Sequence, residues 1–263
     1  ITADISGGAP GVATFNGTLE AGIDPATQMP YRISGLTEPL FTTLTGTVKN
    51  LVLEDVDINT NDGGNTGAIA RTANGAARIY NVGILSGSVG GTAYPGGLVG
   101  LLDGTARVVN CYSFADITDG TEKGGLVGHN NYATKYNDLK TMVMNCMFYG
   151  DITEGNTISP IYGGSAISND YNANNTNRLN NYNYYLYESP FSKNNTTSHP
   201  VISSYNCALA AEQRFLVRFE FYRHLLNSTR ELAAWYATGT ASQSSMHKWV
   251  LDLNIAPYPI LKE

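Results

Sequence analysis

One short phrase recurs along the first two thirds of this chain, and it restricts the fold more than any other feature. It reads Lys49-Asn50-Leu51-Val52-Leu53, then Tyr80-Asn81-Val82-Gly83-Ile84, then Val109-Asn110-Cys111-Tyr112, then Met144-Asn145-Cys146-Met147. The asparagines lie 31, 29 and 35 residues apart. A second phrase runs in step. Gly96-Gly97-Leu98-Val99-Gly100 matches Gly124-Gly125-Leu126-Val127-Gly128, with weaker copies at Gly67-Ala68-Ile69-Ala70 and Gly163-Gly164-Ser165-Ala166-Ile167. A third phrase closes each unit: Val56-Asp57-Ile58, Ala115-Asp116-Ile117-Thr118 and Gly150-Asp151-Ile152-Thr153. Self-similarity at such a period is the mark of a stacked repeat architecture.

Each unit holds three short apolar segments separated by Gly, Asn and Asp. The segments are too short for helices and read as strands. Asn and Gly supply the left-handed backbone of tight corners. Three strands and three corners make one turn of a coil, and successive coils stack at about the 4.8 Å spacing of neighbouring strands. One coil cannot bury its own apolar face, whereas a stack builds a continuous core. The expected fold is therefore all-β: a right-handed parallel β-helix, or β-solenoid, its hand taken from the bias of parallel crossovers. Equivalent side chains lie above one another. Leu98 is expected over Leu126 and Leu53 over Ile84, and Asn50, Asn81, Asn110 and Asn145 form a ladder in which each amide bonds the next coil. Cys111 and Cys146 become vertical neighbours, either buried thiols or a bridge.

The chain divides into residues 1–200, a β-helix of about five coils, and 201–263, a helical cap with a final extended strand. Ala208 to Tyr236 lacks Gly and Pro, and its apolar residues recur at helical spacing. Helices are expected over 208–226 and 229–237, the second opened by the capping box Ser228-Thr229-Arg230-Glu231. The pair would cover the exposed end of the coil stack, with Phe215, Phe219, Phe221, Tyr222 and Trp235 as its core.

The Gly-Gly-Leu-Val-Gly and Asn-Cys-Tyr phrases resemble the GLUG-motif repeats of large secreted or surface proteins of bacteria, often Bacteroidetes. Also similar are Phe15-Asn16-Gly17-Thr18-Leu19, Tyr31-Arg32-Ile33-Ser34-Gly35-Leu36, Pro39-Leu40-Phe41, and the closing Trp249 with Pro257-Tyr258-Pro259-Ile260-Leu261. The resemblance covers roughly residues 12–190 and implies an extracellular or cell-surface protein, placed on the outer membrane of a Gram-negative bacterium. It brings no catalytic motif.

Charge supports the same reading. Lys and Arg number 16, are scattered, and leave a net charge of −6. Phosphate binding needs clustered cations, so nucleic acid is not an expected partner. Only 14% of residues are charged, so Asn, Thr, Ser, Gly and Tyr must cover the surface, which suits glycans, peptides or other cell-envelope proteins. No apolar run reaches the roughly 20 residues that span a bilayer. The chain opens in polar, Gly-rich sequence, so a processed or excised piece is expected, with any lipid anchor upstream of Ile1.

No Gly-x-Ser-x-Gly, His-Glu-x-x-His or P-loop pattern occurs. His129, His199, His224 and His247 match no ligand spacing, and His129 reads as a solvated corner residue. No metal or cofactor is expected. Asp57, Asp116 and Asp151 occupy matching positions. A carboxylate pair about 5 Å apart serves glycoside hydrolysis or shares calcium, but Asp is also a routine turn residue. The other lead is tyrosine, with 17 copies. Tyr162, Tyr171, Tyr182, Tyr184, Tyr185 and Tyr187 cluster in Asn-rich sequence and are the candidate binding residues. The function expected is a noncatalytic surface binding or adhesion module, with an accessory subunit of an outer-membrane nutrient importer as a variant. The alternatives are a polysaccharide-degrading enzyme on the same scaffold and a passive spacer.

Overall fold

The computed structural model describes residues 1–7, 11–131, 142–153, 157–165, 183–186, 208–211 and 226–263. Within them the chain winds as a parallel β-solenoid of about four complete turns, with partial turns at either end.

Four stacks of parallel strands follow one another around each turn, and the narrowest, between the third and second faces described below, runs through Thr66–Gly67, Pro95–Gly96, Glu122–Gly124 and Thr157–Ser159. The broad face has eleven strands, among them Thr47–Glu54, Arg78–Ile84, Arg107–Val109, Tyr112–Ser113, Met142–Met144 and Met147–Phe148. The second face stacks Val12–Phe15, Phe41–Leu44, Ala70–Ala73, Val99–Leu102, Val127–Asn130 and Tyr162–Ser165. The third stacks Val56–Thr60, Gly87–Gly91 and Asp116–Ile117. All of these ladders are parallel and keep the register the repeat predicts, except in the last turn: Gly124 pairs with Ser159 and Val127 with Tyr162, so the copy of 124–128 is 159–163 and not the expected 163–167.

The interior is a set of vertical columns. Leu53 pairs with Ile84, and Leu98 N–H donates to the carbonyl of Leu126 at 2.9 Å. Leu51, Val82, Cys111 and Cys146 line another column, all fully buried. Cys111 and Cys146 are free thiols, and the Cys111 N–H points at Cys146 Sγ at 3.3 Å. Burial pushes the Cys111 thiol well above its usual range, so the pair behaves as two small hydrophobes. The glycines of the second phrase are needed because coils approach there backbone to backbone. A Cβ on Gly96 would overlap the backbone nitrogen of Gly128.

The C-terminal region departs from expectation in two ways. Ala208–Ala211 is a strand that pairs with Asn183–Leu186, not the start of a helix. Those residues favour helix alone, but an open strand edge gives their backbone a hydrogen-bonded ladder, and tertiary context overrides propensity. The rest of the expected first helix, including Phe215, Phe219, Phe221 and Tyr222, lies outside the described residues, as does the side chain of Trp235. The second expected helix is present as α1, Arg230–Thr238, entered through a 3-10 turn at Asn227–Thr229. It does not cap the end of the stack. Ala233, Ala234 and Ala237 pack with Met246 on Val109 and Tyr80, which places α1 on the outer side of the broad face.

Candidate functional site

The ladder residues Asn50, Asn81, Asn110 and Asn145 have φ of 52°, 55°, 54° and 54°. Asparagine tolerates this left-handed conformation because its short amide bonds locally. Asn81 Nδ2 donates to Asn50 Oδ1, Asn110 Nδ2 to Asn81 Oδ1 and Asn145 Nδ2 to Asn110 Oδ1, each at 2.8 Å. Each of these bonds leaves half of an amide's capacity unused, and at Asn81 and Asn110 the C-terminal segment takes up the remainder. Asn81 donates to the carbonyl of Ser245 (2.8 Å) and accepts from the N–H of His247 (3.1 Å). Asn110 donates to the carbonyl of His247 (3.1 Å) and accepts from Trp249 Nε1 (2.9 Å). Thr229 Oγ1 lies 2.6 Å from Asn145 Oδ1.

Residues 245–249 thus form a strap along the ladder. Beyond it, Lys248–Val250 pairs antiparallel with Ile260–Lys262. Trp249, Ile260 and Leu261 then bury Val52, Tyr112, Met147 and Tyr149 in a second core outside the solenoid. Tyr149 Oη donates to the carbonyl of Pro259 at 2.6 Å. Asn227 clasps the backbone of Trp249 from both sides, donating to its carbonyl and accepting from its N–H. Among the described residues, the outer side of the broad face is occupied by the chain itself.

On the second face, one outward column reads Thr43, Thr72, Leu101 and His129. His129 is half-buried and stacks on Tyr94, ring centroids 4.7 Å apart and planes 28° from parallel. Its Nδ1 is hydrogen-bonded to the carboxylate of Glu122. With Nδ1 held by the carboxylate, Nε2 is the nitrogen left to meet a ligand. Asn65 Nδ2 donates to Thr72 Oγ1 one face-width away at 3.3 Å. Aromatic surface, imidazole and carboxylate therefore sit together on adjacent coils. His129 was expected as a solvated corner residue. It is a strand residue with two partners, and the sequence signal for this was its register with Leu101 beside Tyr94.

The other candidates fall differently. Tyr162 is only 7% exposed and belongs to the interior core, in line with Val99 and Val127, so it is corrected from surface contact to core residue. Its position in the second-face repeat, equivalent to Val127, makes it point inward. Tyr184 and Tyr185 lie in the strand Asn183–Leu186. Tyr171, Tyr182 and Tyr187 lie outside the described residues, as do Cys207, His199 and His224.

Of the aspartates, Asp57 and Asp116 are separated by Ser88, which pairs with both. Asp116 Oδ1 accepts the N–H of Asp151 at 2.8 Å, and Asp151 Oδ1 accepts the N–H of Ile152 at 2.9 Å. Both carboxylates are engaged by backbone, which is the turn role of aspartate. Nearby, the buried Lys123 donates to the carbonyl of Thr118 and to Thr153 Oγ1, each at 2.8 Å, and burial lowers its pKa. Among the described residues no three His, Cys, Asp or Glu side chains converge as a metal site would require. No described helix is long and apolar enough to cross a membrane.

Two family models match the chain. The N-terminal region of the M26 IgA1-specific metallo-endopeptidases matches residues 11–86, and the GLUG motif matches residues 91–118. The chain carries a GLUG motif, and the matched stretch holds the Gly-Gly-Leu-Val-Gly and Asn-Cys-Tyr phrases of one turn. Comparison with curated proteins and with solved structures gave no match.

Proposed function

We propose that this chain is a noncatalytic binding module of a secreted or cell-surface protein, and that it contacts glycans or peptides through the second face. The observation that carries the proposal is the half-buried Tyr94–His129 stack beside Glu122. The strap does not cover it, and the core does not absorb it. Aromatic faces stack on sugar rings and on peptide side chains, while carboxylate and imidazole take the hydroxyl or amide hydrogen bonds that fix orientation. The tyrosine-rich stretch with Tyr171, Tyr182, Tyr184, Tyr185 and Tyr187 supplies further contacts in this reading. Tyr162, being interior, does not.

Both matched families support a secreted or surface placement. The first match is to the N-terminal region of a peptidase family, which supports a scaffolding role for such a solenoid beside another activity. A passive spacer is the second reading, and that same match favours it. Glycan and peptide arrays probed with the chain separate the two. A binding module gives saturable hits that weaken in Tyr94→Ala and His129→Ala. A spacer gives none. Native co-purification with other envelope proteins tests the variant in which the module serves an outer-membrane importer.

A further inference from the structure

The strap carries a feature that the binding role does not use. His247 supplies the backbone N–H and carbonyl that complete Asn81 and Asn110, and its own imidazole is buried between the ladder and α1. The residue is 6% exposed, and Nδ1 has no hydrogen-bond partner among the described residues. Two charged groups bear on the ring. Arg230, on α1, has its guanidinium bonded to the Met246 carbonyl and opposes a positive imidazole. Glu20, on the strand Thr18–Glu20, favours one, but it is held by Lys49 at 2.8 Å and by Asn50 Nδ2 at 2.8 Å. Tyr80, from the broad face, packs with Met246 beside the same ladder. A proton arriving at His247 would place a cation in a buried site with an arginine beside it and no acceptor on Nδ1.

We propose that His247 makes the C-terminal strap an acid-sensitive clamp, whose protonation releases residues 245–250 from the asparagine ladder and uncovers the outer side of the broad face. What the release would uncover is apolar and chemically distinct from the second face: Val52, Tyr112 and Met147, each at most 1% exposed in the closed form. The structure also explains why the clamp would open before the solenoid. The coils are held by parallel ladders through the interior core, whereas residues 245–249 are held from outside by hydrogen bonds to three amide side chains, Asn81, Asn110 and Asn227, by Arg230 on the Met246 carbonyl, and by a short antiparallel pairing with Ile260–Lys262.

The sign follows from linkage. Burial, and then Arg230, lower the His247 pKa from 6.5 to about 4 in the closed form, while a released imidazole keeps its ordinary value. The closed form is fully favoured above pH 6.5 and loses ground as pH falls toward 4, because the open form binds the proton more readily. The closed-to-open ratio drops about 30-fold between pH 7.5 and pH 5 and approaches a limit of about 300-fold below pH 4.

Hydrogen exchange on the full chain, corrected for the intrinsic pH dependence of exchange, reads this directly. Between pH 7.5 and 5.0, protection across 245–250 is expected to fall about 30-fold while 78–84 stays protected. His247→Gln should abolish the fall. Arg230→Gln removes the opposing cation, so the charged imidazole is easier to accommodate in the closed form and the fall between pH 7.5 and 5.0 should be smaller than in the native chain. The proposal is overturned if strap protection is unchanged in the native chain, if 78–84 loses protection together with the strap, or if Arg230→Gln leaves the size of the fall unchanged. That last comparison stands even if the His247 variant does not fold.

Discussion

Replacing Asn110 by alanine is the sharpest perturbation of this fold. The Asn110 side chain makes four hydrogen bonds, to Asn81, Asn145, the His247 carbonyl and the Trp249 indole, and it is fully buried. Alanine leaves the Trp249 N–H and one N–H of Asn145 without acceptors in a site water does not reach. At about 1.5 kcal/mol for each orphaned donor, the loss is about 3 kcal/mol. The backbone adds to it, because φ is +54° at this position and alanine there costs about 1 kcal/mol more. The expected destabilisation is about 4 kcal/mol for Asn110→Ala and about 3 kcal/mol for Asn110→Gly, which is spared the left-handed penalty. Urea unfolding followed by circular dichroism measures both, compared at a common slope. An alanine variant within about 1 kcal/mol of the parent would refute the reasoning, since it would mean the ladder amides are not the saturated, water-free network described.

Three further perturbations bear on packing. Gly83→Ala drives a Cβ into the phenol end of the Tyr112 ring, which lies against the glycine, and should cost about 1–3 kcal/mol in the same unfolding assay. Tyr149→Phe removes only the bond to the Pro259 carbonyl; a loss of about 1 kcal/mol is expected, and an unchanged midpoint would show that the C-terminal hairpin does not depend on it. Cys111 and Cys146 should resist alkylation in the native state at pH 8 and react on denaturation, read by mass spectrometry of the peptides that carry them, because both thiols are buried and ionisation of Cys111 is suppressed.

The repeat made the solenoid legible because a corner in the left-handed region admits few residues. Asn50, Asn81, Asn110 and Asn145 recur for that reason, and their spacing carries the register of every column between them. Cys111 over Cys146 followed from the same alignment. Sequence could not show what lies outside the coils. Ala208–Ala211 looked helical because propensity is local, whereas the partner strand that captures it is distant in sequence. The amphipathic pattern of 229–237 announced a helix without saying which surface it covers, and Thr229, read as part of a capping box, turns its hydroxyl to the ladder instead. His247 carried no motif at all. Its role arises from a backbone placed between two asparagines more than 130 residues away. The Tyr94–His129–Glu122 cluster was missed likewise, because Tyr94 lies one coil away from Glu122 and His129 and reaches the imidazole only when the coils stack.

In the proposed function, the second face binds a ligand without turning it over. The direct measurement is calorimetric titration of an array-selected glycan or peptide into the parent chain and into the Tyr94→Ala/His129→Ala double variant, with the recovered ligand weighed by mass spectrometry. The account predicts saturable binding to the parent, at least a roughly tenfold weaker response in the variant from the loss of about 1.4 kcal/mol or more, and an intact ligand. Equal binding by both chains, or a cleaved ligand, would contradict it.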